Sequence, residues 1–176
     1  MKKMKRLVAV LLAGVMVLAM LTACGGTGNN ADTAKFEATV EQAYMAKLNE
    51  KLKATYGEKF ENFENDETIK NLAVERIVAM ADKETLTYKE LWTKDEMTQD
   101  WVMICYDSNQ TINGTYVMSS YEAATAGTIT PAQKDIDVYW SLVQVKAGNK
   151  KITALGVGAK TINGKTYVAI GFRVEG

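Results

Sequence analysis

Acidic side chains are the groups in this chain that could do chemistry, and they cluster at two places in the sequence. Asp95, Glu96 and Asp100 lie within two helical turns of each other, and Asp135 and Asp137 are two residues apart. Close carboxylates can bind a cation, or can serve as the acid and base of a glycoside hydrolase. No run follows the spacing of a calcium-binding loop, and a solvated helix face is the alternative for both clusters.

The chain contains no histidine, and this absence excludes several kinds of active site. A Ser-His-Asp or Cys-His arrangement needs an imidazole as its general base near neutral pH. Zinc sites with histidine ligands are excluded too, and the two cysteines cannot supply a site made of cysteines alone. The glycines of "GVGAKTING" do not follow the G-x-G-x-x-G spacing of a phosphate-binding loop. We therefore expect no metal and no cofactor.

The first 24 residues have the layout of an export signal that ends at a cysteine. A head with three lysines and one arginine precedes the apolar run 7–23, as in secretory leaders. The tetrapeptide "LTAC" at 21–24 resembles the lipobox of bacterial lipoproteins. This resemblance implies that residues 1–23 are removed and that Cys24 is acylated. An uncleaved anchor helix and an ordinary secretory cut are the two alternatives.

The rest of the chain is then expected to be held at the extracytoplasmic face of the cell membrane by its lipid. Residues 24–31 would form the acylated cysteine and a flexible tether, and residues 32–176 a single domain. Four of the 21 basic residues and none of the 21 acidic residues fall in 1–23, which leaves 17 basic against 21 acidic residues and a net charge of −4. This charge argues against nucleic acid as a partner.

Cys105 would be left as a single thiol once Cys24 is acylated, so no intramolecular disulfide is expected. It lies in the apolar stretch "WVMICY" at 101–106, where a small buried hydrophobic residue is the expected role. A reactive or intermolecularly paired thiol is the alternative. The stretch itself could be helix or strand, because periodicity does not distinguish the two in so short a run.

Apolar residues at helical spacing predict two helices in the first half of the domain. The first runs over 32–56 and ends at Gly57, and the second follows a cap at Asn65 or Asp66. The side chains expected to face the core are Phe36, Val40, Tyr44, Leu48 and Leu52 in the first helix, and Ile69, Leu72, Ala73, Ile77 and Met80 in the second.

Three further patterns predict helix starts. "TYKE" at 87–90 and "TKDE" at 93–96 both fit the capping box, so a short helix is expected at each. "TPAQ" at 130–133 combines a cap, a proline at the first helical position and a glutamine at the third. The residues that this last helix should bury are Ile136, Tyr139, Trp140 and Val143.

The C-terminus carries the clearest strand pattern. "KKITALGVGAK" and "TYVAIGFRV" flank "TING", whose Asn163 and Gly164 suit a type I′ hairpin turn. "TINGTY" at 111–116 repeats this motif and predicts a third strand in "TYVMSSY". We interpret the repeat as reuse of a favourable turn, with an internal duplication as the alternative.

A longer pattern joins these elements. "YEAATAGTITPAQKDIDVYWS" places Glu122 five residues before Gly127 and ends in a helix containing Trp140, and "ALGVGAKTINGKTYVAIGFRV" follows it. Together they resemble the second half of bacterial SCP-like domains, which belong to the CAP superfamily of cysteine-rich secretory, antigen 5 and pathogenesis-related proteins. The resemblance implies that Glu122 takes the place of the family's motif glutamate, that Trp140 is buried, and that 156–158 begins the terminal hairpin.

The chain departs from the family at the residues that form the family's cleft. Tyr121 and Ala123 replace the glycine and asparagine on either side of the glutamate, and no histidine follows Trp140. The family's cleft is typically built from two histidines and acidic partners, so this chain could keep only Glu122. The resemblance therefore implies the scaffold with its site lost. An ordinary surface acid is the alternative role for Glu122.

These observations predict an α/β fold, an αβα sandwich with an antiparallel sheet of three or more strands packed by helices. The expected function is a non-catalytic binding or adhesion module at the cell envelope, with a wall polymer, an envelope protein or a lipid as ligand. The alternative is a carboxylate-dependent hydrolase acting on envelope glycan. A binding module should expose an aromatic patch, for which Tyr116, Tyr121 and Tyr139 are candidates. Core packing is the alternative for each.

Overall fold

Residues 30–122 and 129–176 are described by a computed structural model, which contains helices and antiparallel strands. Its helices are α1 (Asn30–Tyr56), α2 (Glu67–Met80), α3 (Tyr88–Leu91) and α4 (Gln133–Ala147). Its strands are β1 (Leu86–Thr87), β2 (Trp92–Lys94), β3 (Trp101–Ile104), β4 (Tyr106–Ile112), β5 (Thr115–Met118), β6 (Ser120–Glu122), β7 (Ile152–Ile162) and β8 (Lys165–Val174). By its contacts the chain divides into 1–33 and 34–176, and the fold below is that of the second unit.

The larger sheet is built around β8, the last strand. Strand β7 pairs with β8 along its whole length, from 152 to 162. The other edge of β8 is shared, because β3 pairs with 169–172 and β6 pairs with 165–167. Strand β2 extends the sheet beyond β3, and all of these pairings are antiparallel. "WVMICY" is therefore a strand in its first part, which settles the question that periodicity left open.

The smaller sheet contains β4 and β5, which lie between β3 and β6 in the chain, together with the earlier strand β1. Its strand order is β1-β5-β4. Both hairpins turn at an Asn-Gly pair with positive φ: 50° and 80° at Asn113 and Gly114, and 51° and 80° at Asn163 and Gly164. These values are those of a type I′ turn, which matches the right-handed twist of the flanking strands. The two predicted hairpins are confirmed.

Helix α2 lies against one face of the larger sheet, and glycines make the close approach possible. Gly156 and Gly171 are directly paired across β7 and β8. A Cβ atom at either position would come within 2.6 Å of the side chain of Ile69 on the helix. At Gly158 a Cβ would lie 2.7 Å from the carbonyl oxygen of Lys70. The glycine spacing of "GVG" thus serves helix packing.

Helices α1 and α4 cover the other face. Side chains alternate between faces along a strand, so Thr166 of β8 points away from the face that carries Gly171. Tyr121 is directly opposite Thr166, and its hydroxyl lies 2.9 Å from the hydroxyl of Tyr44 on α1. Helix α4 packs beside α1, where the indole of Trp140 donates a hydrogen bond to Thr55 at 3.1 Å. The expected α/β fold, with an antiparallel sheet packed by helices on both faces, is confirmed.

The core follows the predicted stripes closely. Among the predicted residues, those that are buried are Val40, Tyr44, Leu48, Leu52, Ile69, Ala73, Ile77, Ile136, Tyr139, Trp140 and Val143. Phe36, Leu72 and Met80 pack against this core and are partly exposed. Asp66 caps α2 by accepting hydrogen bonds from the amides of Thr68 and Ile69, and Thr87 with Glu90 forms the predicted capping box of α3.

One predicted short helix is absent, and another helix begins later than predicted. The "TKDE" segment is not a helix: Trp92–Lys94 is a strand, and the carboxylate of Asp95 accepts hydrogen bonds from the amides of Met97 and Thr98 in the turn that follows. Pairing with β3 therefore outweighs the local capping pattern. Helix α4 begins at Gln133, after Ala132, which makes no side-chain cap. The proline precedes the helix and is buried.

Strand β7 is at the edge of the sheet, and side chains occupy its outward-facing backbone groups. Glu41 and Glu37 of α1 accept hydrogen bonds from the amides of Ala159 and Thr161, at 3.1 and 2.7 Å. Asn65 binds both the amide and the carbonyl of Val157, at 2.8 and 3.0 Å. An uncovered strand edge invites pairing with another chain. We call these three side chains the edge cap.

Candidate binding surface

A group of three aromatic rings and two lysines brings together residues from α3, β2, β3 and α4. The ammonium of Lys146 lies 4.8 Å from the ring centroid of Trp101, 5.2 Å from that of Trp92 and 5.9 Å from that of Tyr88. The ammonium of Lys94 lies 5.4 Å from the centroid of Trp101. These are cation–π distances. We call the five residues the aromatic–lysine surface.

The surface is partly open to solvent. Tyr88 is 43% exposed, Lys94 is exposed, and Trp101 and Lys146 are half-buried. Trp92 forms the floor, because it is 7% exposed and packs edge-on against Trp101, with 6.2 Å between ring centroids. The rings of Tyr88 and Trp101 are therefore available to a ligand.

The two lysines have no ionic partner in the part of the chain that the structure describes. Seven ion pairs occur there, and neither Lys94 nor Lys146 takes part in any of them. Lys94 donates a hydrogen bond to the amide oxygen of Gln99, which carries no charge. The surface therefore presents positive charge that no described carboxylate neutralises.

The aromatic residues of α3 and β2 are held by contacts to the backbone around them. The hydroxyl of Thr87 and the carboxylate of Glu90 close the first turn of α3 on itself, and Lys83 pairs with the same carboxylate. Arg76 of α2 donates hydrogen bonds to the carbonyl oxygens of Glu90 and Trp92. Burial lowers the pKa of Arg76. The segment that carries Tyr88 and Trp92 is thereby fixed to α2.

Trp101 is positioned by a buried ion pair at its side. The preceding residue, Asp100, is fully buried and accepts two hydrogen bonds from the guanidinium of Arg173, both at 2.7 Å. The Asp100 carboxylate raises the pKa of Arg173 further. Trp101 in turn pairs with Lys94 across β2 and β3 and with Phe172 of β8. Lysine and tryptophan are side by side because of this register.

The tyrosines predicted for a binding surface are in three different environments. Tyr116 is half-buried and lies next to the aromatic–lysine surface, 6.4 Å from Tyr88 between ring centroids. Tyr121 is half-buried and bound to Tyr44. Tyr139 is fully buried, and its hydroxyl donates a hydrogen bond to the carbonyl oxygen of Tyr106. The prediction that Tyr139 could belong to an exposed surface is wrong, because its ring is part of the core.

The other predicted site residues have different outcomes. Glu122 is exposed at the end of β6, across from Lys165, and the motif residues 123–128 that follow it lie outside the described residues. Cys24 also lies outside them. Cys105 is fully buried, and burial raises the pKa of its thiol well above the ordinary value. The expected role of Cys105 as a small buried residue is confirmed.

The carboxylates that are close in sequence point to separate partners. Asp100 binds Arg173, whereas Asp95 binds backbone amides of its own turn. Asp135 accepts a hydrogen bond from Ser108, and Asp137 pairs with Lys51. Within 30–122 and 129–176, no three acidic or cysteine side chains are grouped so that they could hold a metal ion.

Glu41 is the described carboxyl group whose pKa is raised, and it is not accessible to a substrate. Burial raises the pKa more than the hydrogen bond from Lys70 lowers it. The side chain is 6% exposed and is occupied by the amide of Ala159 and by Lys70 at 2.8 Å. A shallow cavity of about 370 Å³ lies elsewhere, at the ends of α1 and α4, and no acidic side chain lines it.

Sequence reasoning did not single out Trp92, Trp101 or Lys146. The two tryptophans are on neighbouring strands and the lysine is on a distant helix, so no local spacing connects them. The described helices include none with the length and apolar composition that crossing a bilayer requires. The chain matches no protein-family model, no curated protein and no solved structure.

Proposed function

We propose that the protein is a lipid-anchored, extracytoplasmic binding module at the cell envelope, and that the aromatic–lysine surface is its contact surface. The observation that carries the proposal is the placement of two lysines, neither with an ionic partner among the described residues, over the partly exposed side chains of Tyr88 and Trp101. Neighbouring exposed aromatic side chains that form one patch are typical of an interaction site, and lysine side chains add attraction for an anionic partner.

A binding role without catalysis is supported by where the carboxylates lie. The acid with a raised pKa, Glu41, is enclosed by backbone and by Lys70. Asp100 and Asp66 both pair with the guanidinium of Arg173, at 2.7 and 3.4 Å. A two-carboxylate hydrolase needs one acid and one base facing a shared cleft, and these groups instead hold the fold together.

The anchor is the second part of the proposal, and the sequence of the leader supports it. Replacement of Cys24 by serine removes the thiol that would be acylated, so we expect the variant to lose both lipid and membrane association. The measurement is incorporation of a labelled palmitate analogue by growing cells, followed by fractionation of membrane and medium. A variant that stays labelled and membrane-bound would contradict acylation at Cys24. Membrane retention without label in the unaltered chain would favour an uncleaved anchor helix.

We also include a distant relation to SCP-like domains in the proposal. Burial of Trp140 in α4 and the position of Gly156 and Gly158 in β7 agree with the pattern of that family. The relation concerns the scaffold, and the binding role rests on the aromatic–lysine surface instead of on Glu122.

Retention on envelope fractions tests the binding role. The full-length chain, purified in mild detergent, is incubated separately with insoluble cell wall and with membrane proteins, and its depletion from solution is measured. We expect saturable retention on one fraction and a loss of at least fivefold in the Tyr88→Leu variant. Tyr56→Leu is the matched control, because Tyr56 is also an exposed tyrosine, at 41%, outside the surface.

Each outcome of this test has a definite meaning. Retention by wall identifies a wall-binding module, and retention by membrane proteins identifies a docking subunit. Equal losses in Tyr88→Leu and Tyr56→Leu would move the contact away from the aromatic–lysine surface. If neither fraction retains the chain, the binding role is wrong and a carboxylate-dependent hydrolase becomes the better reading.

A further inference from the structure

The two lysines of the aromatic–lysine surface are close enough to repel each other. Their ammonium groups lie 4.8 and 5.4 Å from the same point, the ring centroid of Trp101. They are therefore no more than roughly 10 Å apart, about one Debye length at 0.1 M ionic strength. Like charges at this separation are only partly screened, and no described carboxylate relieves their repulsion. An anionic ligand would relieve it.

The rings beside the lysines define the second feature of the ligand. The face of an aromatic ring carries partial negative charge and attracts polarised C–H groups as well as cations. A sugar ring presents such C–H groups on one face and hydroxyls at its edge. The open rings of Tyr88 and Trp101, at 43% exposure and half-buried, are suited to stack against it.

From these two features we infer that the aromatic–lysine surface binds an anionic polysaccharide, with a sugar ring over Tyr88 or Trp101 and acidic groups beside Lys94 and Lys146. This inference rests on the proposed binding function and names its ligand class. Single-stranded nucleic acid also combines bases with phosphates, but its sites track the backbone with a long positive groove. Two lysines on a chain with a net charge of −4 beyond residue 23 do not form one.

Defined polymers test charge and sugar ring separately. Dextran sulfate and dextran share a backbone and differ in charge, whereas polyphosphate has charge without a ring. With the full-length chain in mild detergent, we expect dextran sulfate to bind at least tenfold more tightly than dextran or polyphosphate. The Kd is measured by biolayer interferometry at two salt concentrations. The affinity depends more steeply on salt when more lysine–anion contacts are formed, so the loss of one contact weakens this dependence.

Variants connect the binding to the named residues. Lys146→Met keeps an unbranched stem that can pack over the rings and removes the charge, so the affinity for dextran sulfate should fall at least fivefold with a weaker salt dependence. Lys146→Arg keeps the charge and the stacking and should stay within threefold of the unaltered chain. Lys165→Met is the control, because Lys165 lies roughly 23 Å along β8 from the partner of Trp101.

The outcomes separate this inference from the proposed function. Equal binding of dextran or polyphosphate would overturn it, and so would tighter binding of single-stranded DNA than of dextran sulfate. An equal loss in Lys146→Met and Lys165→Met would show general charge attraction and would also overturn it. If envelope retention persists while dextran sulfate neither binds nor competes, the ligand class is wrong and the binding function stands. If retention is also absent, both fail.

Discussion

Asp100 is a buried carboxylate next to the aromatic–lysine surface. The free energy lost by removing it from water is offset by its ion pair with one guanidinium. The carboxylate is fully buried, and both of its oxygens bind Arg173. Arg173 also reaches Asp66, the cap of α2, at 3.4 Å. One arginine thus connects the β2–β3 turn, the last strand and the start of a helix. Asp100 immediately precedes Trp101 in the chain.

Replacement of Asp100 by asparagine should destabilise the fold. The amide keeps the shape of the side chain but removes the charge that pairs with Arg173. Removing one partner of a buried ion pair costs about 3–5 kcal/mol. The expected loss here is smaller, about 2 kcal/mol, because the Arg173 side chain is 34% exposed and water partly replaces the missing carboxylate. Urea unfolding measures the change in the free energy of unfolding.

The control for this prediction is Asp82→Asn, at an exposed position outside the pair. Its expected change is within about 0.5 kcal/mol, as for most surface substitutions. A change at Asp100 no larger than the one at Asp82 would show that the ion pair contributes little to the folded state.

The ionisation of Glu41 should contribute to the pH dependence of the free energy of unfolding. Burial raises the pKa of this carboxyl in the folded state above its unfolded value. Its contribution to stability is then fully present below the unfolded pKa, about 4.3, and is lost as pH rises through the folded pKa. Glu41→Gln keeps an oxygen for the amide of Ala159 and cannot ionise. The stability of the variant relative to the unaltered chain should therefore increase as pH rises above the unfolded pKa and level off above the folded pKa of Glu41.

Glu90 provides a control of the opposite sign. Hydrogen bonds from Lys83 and Thr87 lower the pKa of this partly exposed carboxyl to about 2. Its contribution is present above the unfolded pKa and is lost as pH falls towards 2. Glu90→Gln should thus differ from the unaltered chain near neutral pH and converge with it in acid. A stability difference for Glu41→Gln that does not vary with pH would contradict the first prediction.

Residue-level predictions from the sequence succeeded where the cause is local. The cap at Asp66 and the capping box at Thr87 depend on residues two and three positions away, and both are present. The pair of Asp100 and Arg173 joins residues 73 positions apart, and no spacing in the sequence indicates it. Tyr139 had two predicted roles, and the one that helical spacing indicates, burial in the core, is confirmed.

At the level of elements, the contact between α2 and the sheet depends on the absence of side chains. Gly158→Ala would place a Cβ 2.7 Å from the carbonyl oxygen of Lys70 and 2.9 Å from the Cβ of Ala73. The neighbours are helix backbone and a short side chain, so the helix must shift. Overpacking of this kind costs about 1–3 kcal/mol. The loss is measured as a lower Tm in a thermal scan.

Gly176→Ala is the matched control for this substitution. A Cβ at Gly176 has nothing within 4 Å, and its backbone does not require positive φ. The expected change in Tm is therefore close to zero. If Gly158→Ala behaves in the same way, α2 does not pack as closely on β7 as the structure indicates.

Elements with a strong periodic pattern were predicted well, and short ones were not. The apolar stripes of α1, α2 and α4 and the Asn-Gly turns are each properties of one short continuous segment, the longest being Phe36 to Leu52, which the sequence shows directly. "TKDE" at 93–96 fits the same capping pattern as "TYKE" at 87–90. It becomes strand and turn because Trp92–Lys94 pairs with β3, and that partner is not visible in a local window.

At the scale of the whole molecule, the edge cap joins the first helix to a strand more than a hundred residues later. Glu37→Ala with Glu41→Ala leaves the amides of Ala159 and Thr161 without acceptors. A buried donor without a partner costs about 1–3 kcal/mol. We expect lower stability together with concentration-dependent self-association, because the strand edge becomes able to pair. Light scattering during a slow thermal ramp measures the association.

A charge-matched control distinguishes the edge from a change in net charge. Glu58→Ala with Glu61→Ala removes two exposed acids from the segment between α1 and α2. This variant should associate no more than the unaltered chain over the same range of concentration. Association of both double variants to the same extent would mean that lost repulsion, and not the open edge, is the cause.

The layered arrangement was predictable from the sequence, whereas the proposed contact surface was not. Helical stripes, a terminal hairpin and a single domain length leave few ways to bury apolar faces other than helices on a sheet. The aromatic–lysine surface needs the β2–β3 register and the packing of α4, which bring Trp101 and Lys146 together from 45 positions apart. Only the complete fold determines that proximity.

The edge cap gives the first helix a role that differs from its packing. If α1 separates from the sheet while the rest stays folded, the amides of Ala159 and Thr161 lose their side-chain acceptors together, whereas the amide of Val157 keeps Asn65. One molecule in that state is a template for the next. Under the proposed anchor at Cys24, such molecules would be confined to two dimensions and would meet often. Resistance to polymerisation on the membrane would then depend on the free energy of separating α1 from the sheet, and much less on the global free energy of unfolding.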